Sequence, residues 1–150
     1  MTRAEKAKAY FLQGYNCAQA VALAFSDMLD MSESQIARAA SGFGGGIGRM
    51  REVCGSVSGA VFVISNLYGY ENPNDFNGKK QLYSDIQSFC RQFKDENGSI
   101  ICRELLGITD GTGSSVPEER NSAYYKRRPC PEIVECAAKI LENFLKNKEH

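Results

Sequence analysis

Apolar residues recur three and four positions apart through nearly all of this chain, and that spacing confines it to helices. Cys17, Ala20, Val21, Ala24, Phe25 and Met28 form one stripe; Val57, Ala60, Val61, Ile64 and Tyr68 form another. Leu82, Ile86, Phe89, Cys90 and Phe93 form a third, and Ile133, Ala137, Ile140, Leu141 and Phe144 a fourth. A period of 3.6 residues puts each set on one side of a helix, where it can be buried. No segment alternates convincingly with the period of two that a strand requires. The short β-branched run from Val61 to Ile64 leaves a strand open there, but it belongs to a longer helical stripe.

Caps and breakers divide the stripes. Thr2 with Glu5 reads as a capping box, and Gly14 can end that first helix. Asn16 reads as the N-cap of the second helix. Ser32 with Gln35 opens a third that runs to about Ala40. The segment Ser41-Gly42-Phe43-Gly44-Gly45-Gly46-Ile47-Gly48 is too rich in glycine to be regular. A fourth helix ends near Gly69, Asn72-Pro73-Asn74 turns the chain, and a longer helix follows to Asn97-Gly98. Ser99 is expected to cap a short helix that Gly107 stops. Residues 107 to 116 read as a loop, Pro117 as the start of a short helix through Tyr125, and Pro131 to about Lys146 as the last helix. The expectation is an all-α, single compact domain over residues 1–150 with about six to eight helices.

Lys plus Arg and Asp plus Glu number 18 each. A neutral balance gives no electrostatic reason to expect nucleic acid or an anionic membrane as partner. No run approaches the roughly 20 apolar residues of a spanning helix, so membrane insertion is not expected. The first residues, Met1 to Lys6, lack the apolar core of a signal peptide. The expected location is the cytoplasm, where persistent structural disulfides are rare. Six cysteines therefore gain weight as redox or metal groups. The one histidine is His150, the last residue, which all but removes Cys–His catalysis and histidine-ligated metal.

Four of the cysteines fall where helices should begin. Cys17 follows the Asn16 cap, Cys54 follows the glycine run, Cys102 stands at the third position after Ser99, and Cys130 precedes Pro131 as a cap. Unpaired N–H groups at a helix start favour the thiolate, the form that attacks disulfides and binds metals. Arg49 and Arg51 lie just before Cys54 and are expected to stabilise its thiolate; Lys126, Arg127 and Arg128 precede Cys130. Gly55 and Gly59 around Cys54 would let another helix pack closely. Cys90 and Cys136 sit mid-helix among apolar residues and read as packing. The alternative for every one of these thiols is an inert buried cysteine, since free cysteine is among the most buried residue types. No two cysteines stand at the two-residue gap of zinc ribbons, thioredoxins or haem attachment, so any site is assembled from distant segments. The glycine run lacks the Lys-Ser/Thr ending of a phosphate loop.

Five segments together resemble a known family: Asn16-Cys17-Ala18-Gln19-Ala20, Ser41 to Gly46, Cys54-Gly55-Ser56-Val57-Ser58-Gly59, Cys102-Arg103-Glu104-Leu105-Leu106-Gly107, and Cys130-Pro131. They are similar, in order, to the C-GCAxxG-C-C family of redox-active proteins, over nearly the whole chain. The family's four characteristic cysteines fall on Cys17, Cys54, Cys102 and Cys130. One departure is Ser56, where the family usually has alanine. The resemblance implies a small helical protein with a redox role. A related domain of split-Soret cytochromes suggests an association with an iron–sulfur centre, without the haem.

The combined expectation is one sulfur-rich pocket. Cys17, Cys54, Cys102 and Cys130 would ligate a cluster or metal, with Gly45, Gly46 and Gly55 approaching it and the glycine loop supplying backbone donors. The chemistry would be electron transfer or thiol–disulfide exchange, with an iron–sulfur cluster as cofactor or none. Cys54 is then the nucleophile and Cys130 its resolving partner. The alternative is a structural or delivery zinc site on the same four cysteines. A redox partner is implied without being identified, and a homo-oligomer is left open.

Overall fold

The computed structural model describes residues 1–108 and 114–148. Eight α-helices occupy them: α1 (Arg3–Leu12), α2 (Cys17–Leu23), α3 (Glu33–Ala40), α4 (Gly55–Tyr68), α5 (Phe76–Asn97), α6 (Cys102–Leu106), α7 (Ser122–Arg127) and α8 (Cys130–Lys148). Among the described residues there is no named strand. One isolated antiparallel bridge joins Val53 to Ile101. The Val61–Ile64 run lies inside α4.

The caps act as the residue types dictate. Thr2 accepts the Glu5 amide, and Asn16 with Gln19 and Ser32 with Gln35 make full capping boxes. Gly98 and Gly107 close α5 and α6 in the left-handed region. Two boundaries differ from the sequence reading near the site. Ile101, not Ser99, is the cap of α6, so Cys102 is its first residue. The bridge to Val53 holds this segment extended, with the Cys54 amide on the Ile100 carbonyl at 2.8 Å. Ser99 instead donates to Glu104 and accepts the Ile101 amide. The segment after Pro117 is not helical until Asn121 caps α7. The expected loop 107–116 lies partly, and His150 wholly, outside the described residues.

The core is built around α2, which packs on α1, α3, α4 and α8. Every residue from Ala20 to Phe25 is buried, as expected of a helix that is apolar all round. Its stripe continues only to Leu23 as α-helix; residues 26–28 form a 3-10 turn. Small residues make the closest crossing. A Cβ on Gly59 of α4 would lie 2.6 Å from the Ala18 carbonyl oxygen, so only glycine lets the two backbones meet there. α8 lies along α1 and brings Val134, Ala137, Ala138 and Leu141 into the same core. Phe89 and Phe93 of α5 are fully buried, and each such side chain contributes about 1.5–3 kcal/mol of transfer free energy. The consequence for function is positional: α2, α4, α6 and α8 all begin at a cysteine or one residue after it.

Candidate functional site

The sulfurs of Cys17, Cys54, Cys102 and Cys130 line one cavity of about 450 Å³. Cys54 and Cys102 are buried, at 6% and 7% exposure, whereas Cys17 and Cys130 are half-buried. Cys90 and Cys136 are not among the residues lining it. Cys90 is half-buried on α5, and Cys136 donates to Glu96 at 3.1 Å on the outer side of α8.

Glycines set these positions. A Cβ on Gly55 would lie 3.1 Å from the Cys17 Cβ, and one on Gly46 would lie 2.7 Å from the Cys102 Cβ. Gly46 and Gly55 therefore line the cavity chiefly by letting backbone approach the cysteine-bearing residues, whereas Gly45, also in the lining, makes room for Arg49. The expectation that the loop amides are free donors is corrected for residues 47 to 52. Their N–H groups are taken by carbonyls between Gly42 and Ile47. This loop runs through left-handed backbone at Gly45, Gly46, Ile47, Gly48, Arg49 and Arg51. For the three residues with side chains that conformation costs roughly 1–2 kcal/mol each, a strain that the internal hydrogen bonds offset.

The arginines serve partners other than Cys54. Arg51, 7% exposed, points Nη1 at the Cys102 sulfur, 3.7 Å away. Arg49 turns to the carbonyls of Ser114 and Val116 and to Glu118. Arg128, from the basic run before Cys130, pairs with Glu118 at 2.7 Å. Two cavity residues had no local signal in the sequence. Arg120 donates to the carbonyls of Phe11 and Tyr15 and stacks 4.0 Å over the Phe11 ring. Tyr124 lies between that arginine and Cys130, and its burial pushes the phenol up to about 12. Only folding brings residues 120–124 against the α1–α2 junction.

Electrostatics separate the four sulfurs. The Cys17 and Cys130 thiols act most strongly on each other. That interaction draws Cys130 below its ordinary range, aided by Arg128, Arg120 and Arg51 and opposed by burial. The same interaction, together with burial and the charges of the other three sulfurs, pushes Cys17 well up. Of the pair, Cys130 is held toward the thiolate and Cys17 toward the thiol. Burial raises Cys102, with Arg51 only partly offsetting it. Burial pushes Cys54 up to about 11. The amides of Ser56 and Val57 at the start of α4 and the Ser56 hydroxyl do act on it in the expected direction. Desolvation outweighs them, so the expected activated thiolate at Cys54 is not met.

An all-cysteine wall suits soft metals by donor type. By spacing it surrounds a cavity and not a point: among the described residues, no three of His, Cys, Asp and Glu gather closely enough to hold a metal ion.

A family model described as "Putative redox-active protein (C_GCAxxG_C_C)" matches residues 15–144, a span that holds all four cavity cysteines. The chain belongs to the C_GCAxxG_C_C family. An uncharacterized protein of Archaeoglobus fulgidus is 28% identical over 161 residues, covering 99% of each chain. No solved structure matches. Membership in the C_GCAxxG_C_C family agrees with the redox character read from the cysteines, and the family's description goes no further than that. No helix among the described residues is long and apolar enough to cross a membrane.

Proposed function

We propose that this C_GCAxxG_C_C protein is a dithiol–disulfide redox protein in which Cys130 is the attacking thiolate and Cys17 the resolving thiol. What supports this reading is that Cys17 and Cys130 line the same cavity and act on each other's thiols, drawing Cys130 down and pushing Cys17 up. Two neighbouring thiols, one held toward its ionised form, are the reactants of exchange.

The step runs as follows. The Cys130 thiolate attacks one sulfur of a substrate disulfide, and the S–S bond breaks. A mixed disulfide forms at Cys130, and the other half leaves as a thiolate that takes up a proton. Cys17 then loses its proton and attacks the Cys130 sulfur, releasing the second half as a thiol. The substrate disulfide is reduced to two thiols and the protein is oxidised to a Cys17–Cys130 disulfide. The reverse sequence restores the dithiol at the expense of a reductant of the same class. Cys54, buried and held neutral, takes no part in the attack; it and Cys102 form the floor of the cavity.

The test is peptide mass mapping after limited exposure to a small disulfide. Cys17→Ser should trap the mixed disulfide on Cys130, and Cys130→Ser should form none. Cys90→Ser should behave as the parent. A mixed disulfide on Cys54 would overturn the assignment. Stoichiometric iron and sulfide in anaerobically purified protein would replace it with a cluster reading on the same four cysteines.

A further inference from the structure

Among the described residues, Arg51 is the cavity cation that no carboxylate answers. It is 7% exposed and lines the cavity, and its one polar side-chain partner among the described residues is the Cys102 sulfur. The other cavity arginines are engaged. Arg49 and Arg128 share Glu118, and Arg120 is held by two carbonyls and an aromatic ring. A buried guanidinium without an anion is unfavourable, and an anion brought to it gains charge-assisted hydrogen bonds.

The backbone holds Arg51 there at a cost. Its φ is +63°, its amide donates to Gly45 at 3.1 Å, and its carbonyl accepts from Arg103 Nε at 3.0 Å. A non-glycine residue in that conformation persists only because its surroundings enforce it, and such places cluster at sites that bind ligands. The cavity volume of about 450 Å³ lies within the range of small-molecule sites. Arg51 and Cys130 line the same cavity, so one small molecule can reach both.

Resting on the thiol–disulfide reading above, we propose that the substrate is a small disulfide bearing a carboxylate. The carboxylate pairs with the Arg51 guanidinium, and a sulfur of the disulfide is presented to Cys130. The guanidinium fork takes a carboxylate through two parallel hydrogen bonds, which orients the molecule as well as holding it.

Three disulfides of equal chain length test this: 3,3′-dithiodipropionate (a dianion), bis(2-hydroxyethyl) disulfide (neutral) and cystamine (a dication). Oxidation of the Cys17–Cys130 pair is timed by mass spectrometry. The dianion should react about tenfold faster than the neutral compound, or more, and cystamine slowest. In Arg51→Gln the ratio of dianion to neutral rates should fall to about one, and Arg51→Lys should keep part of it. The ratio is read because Arg51 also tunes Cys130 itself. A ratio near one in the parent, or one unchanged in Arg51→Gln, overturns the assignment. If Arg51→Gln does not fold, the parent series and Arg51→Lys decide.

Suberate, an unreactive dicarboxylate of matching length, separates this proposal from the redox reading. It should slow iodoacetamide alkylation of Cys130 in the parent and not in Arg51→Gln, while 1,8-octanediol should not. Protection without any disulfide reacting would uphold the anion subsite and defeat the redox reading. Reaction of all three disulfides at one rate, without protection by suberate, would do the opposite.

Discussion

Cys17 and Cys130 begin two different helices yet line one cavity, and each shifts the other's thiol, Cys130 down and Cys17 up. In the exchange proposed above, that opposition sets Cys130 as the attacking sulfur and Cys17 as the reserve.

Oxidation of this pair closes a loop of most of the chain. Cross-links of that span stabilise typically by 2–4 kcal/mol, by restricting the unfolded ensemble. The oxidised protein should therefore unfold at higher urea than the reduced form, and Cys17→Ser should show no such difference. Equal midpoints for both redox forms of the parent would mean that the cross-link strains the helices it joins.

Alkylation should distinguish the sulfurs by pH. Cys130 should react with iodoacetamide with a midpoint below the ~8.5 of a free thiol. The groups that set it are Cys17, Arg128, Arg120 and Arg51. Cys54 should react only as pH nears 11. Peptide-resolved labelling from about pH 5 to about pH 11 reads both at once. Reversal of the order would remove Cys130 as the nucleophile.

Alkaline stability follows from the same shifts. Cys54 has its folded value raised from 9.0 to about 11. Its contribution is complete below the unfolded value and is lost as pH rises through the interval, because the unfolded chain ionises first. The loss is on the order of 2–3 kcal/mol between those limits. Cys130, lowered, gains its contribution before that interval and holds it, so it does not compensate. Urea midpoints should fall from about pH 9 upward, and Cys54→Ala should flatten the slope. A parent profile that stays level would contradict the burial of Cys54.

Ser56 offers a change that should cost nothing. Its hydroxyl is fully buried and has no hydrogen-bond partner among the described residues, though it acts on the Cys54 thiol nearby. Ser56→Ala removes a poorly satisfied polar group, so stability should hold or rise by up to about 1–2 kcal/mol. The Cys54 alkylation midpoint should move further up, since the hydroxyl holds it down. A drop of more than about 1 kcal/mol would show that the hydroxyl is better bonded than its surroundings suggest.

Gly59→Ala should do the reverse. The added methyl meets the Ala18 carbonyl, and neither backbone has room to give. Overpacking of this kind costs about 1–3 kcal/mol. Because Ala18 follows Cys17, the shift should also slow formation of the Cys17–Cys130 disulfide. Thermal melts and oxidation rates together check this; an unaffected melt would mean α2 and α4 slide apart freely.

Much of this was legible in the residue order. Stripe spacing marked α4, α5 and α8, the Asn16 cap marked the start of α2 and a capping box the start of α3, because those signals are local. The four cysteines at helix starts could be named for the same reason, and all four line one cavity. What could not be read was set by packing. Arg51 lies nearest Cys54 in sequence yet faces Cys102, since a left-handed backbone reverses the direction of its side chain. Nothing about an arginine announces that conformation. Cys54 looked activated because helix-start amides are visible in sequence while depth of burial is not. Arg120 and Tyr124 reach the cavity from a segment with no motif of its own.

The pair also has a history during synthesis. Cys17 leaves the ribosome well before its partner, which heads α8. Until α8 docks along α1, the early thiol lacks that partner. Reactivity at Cys130 is accordingly a chemical signature of a finished molecule, and nascent or truncated chains should behave toward oxidants as ordinary thiols do.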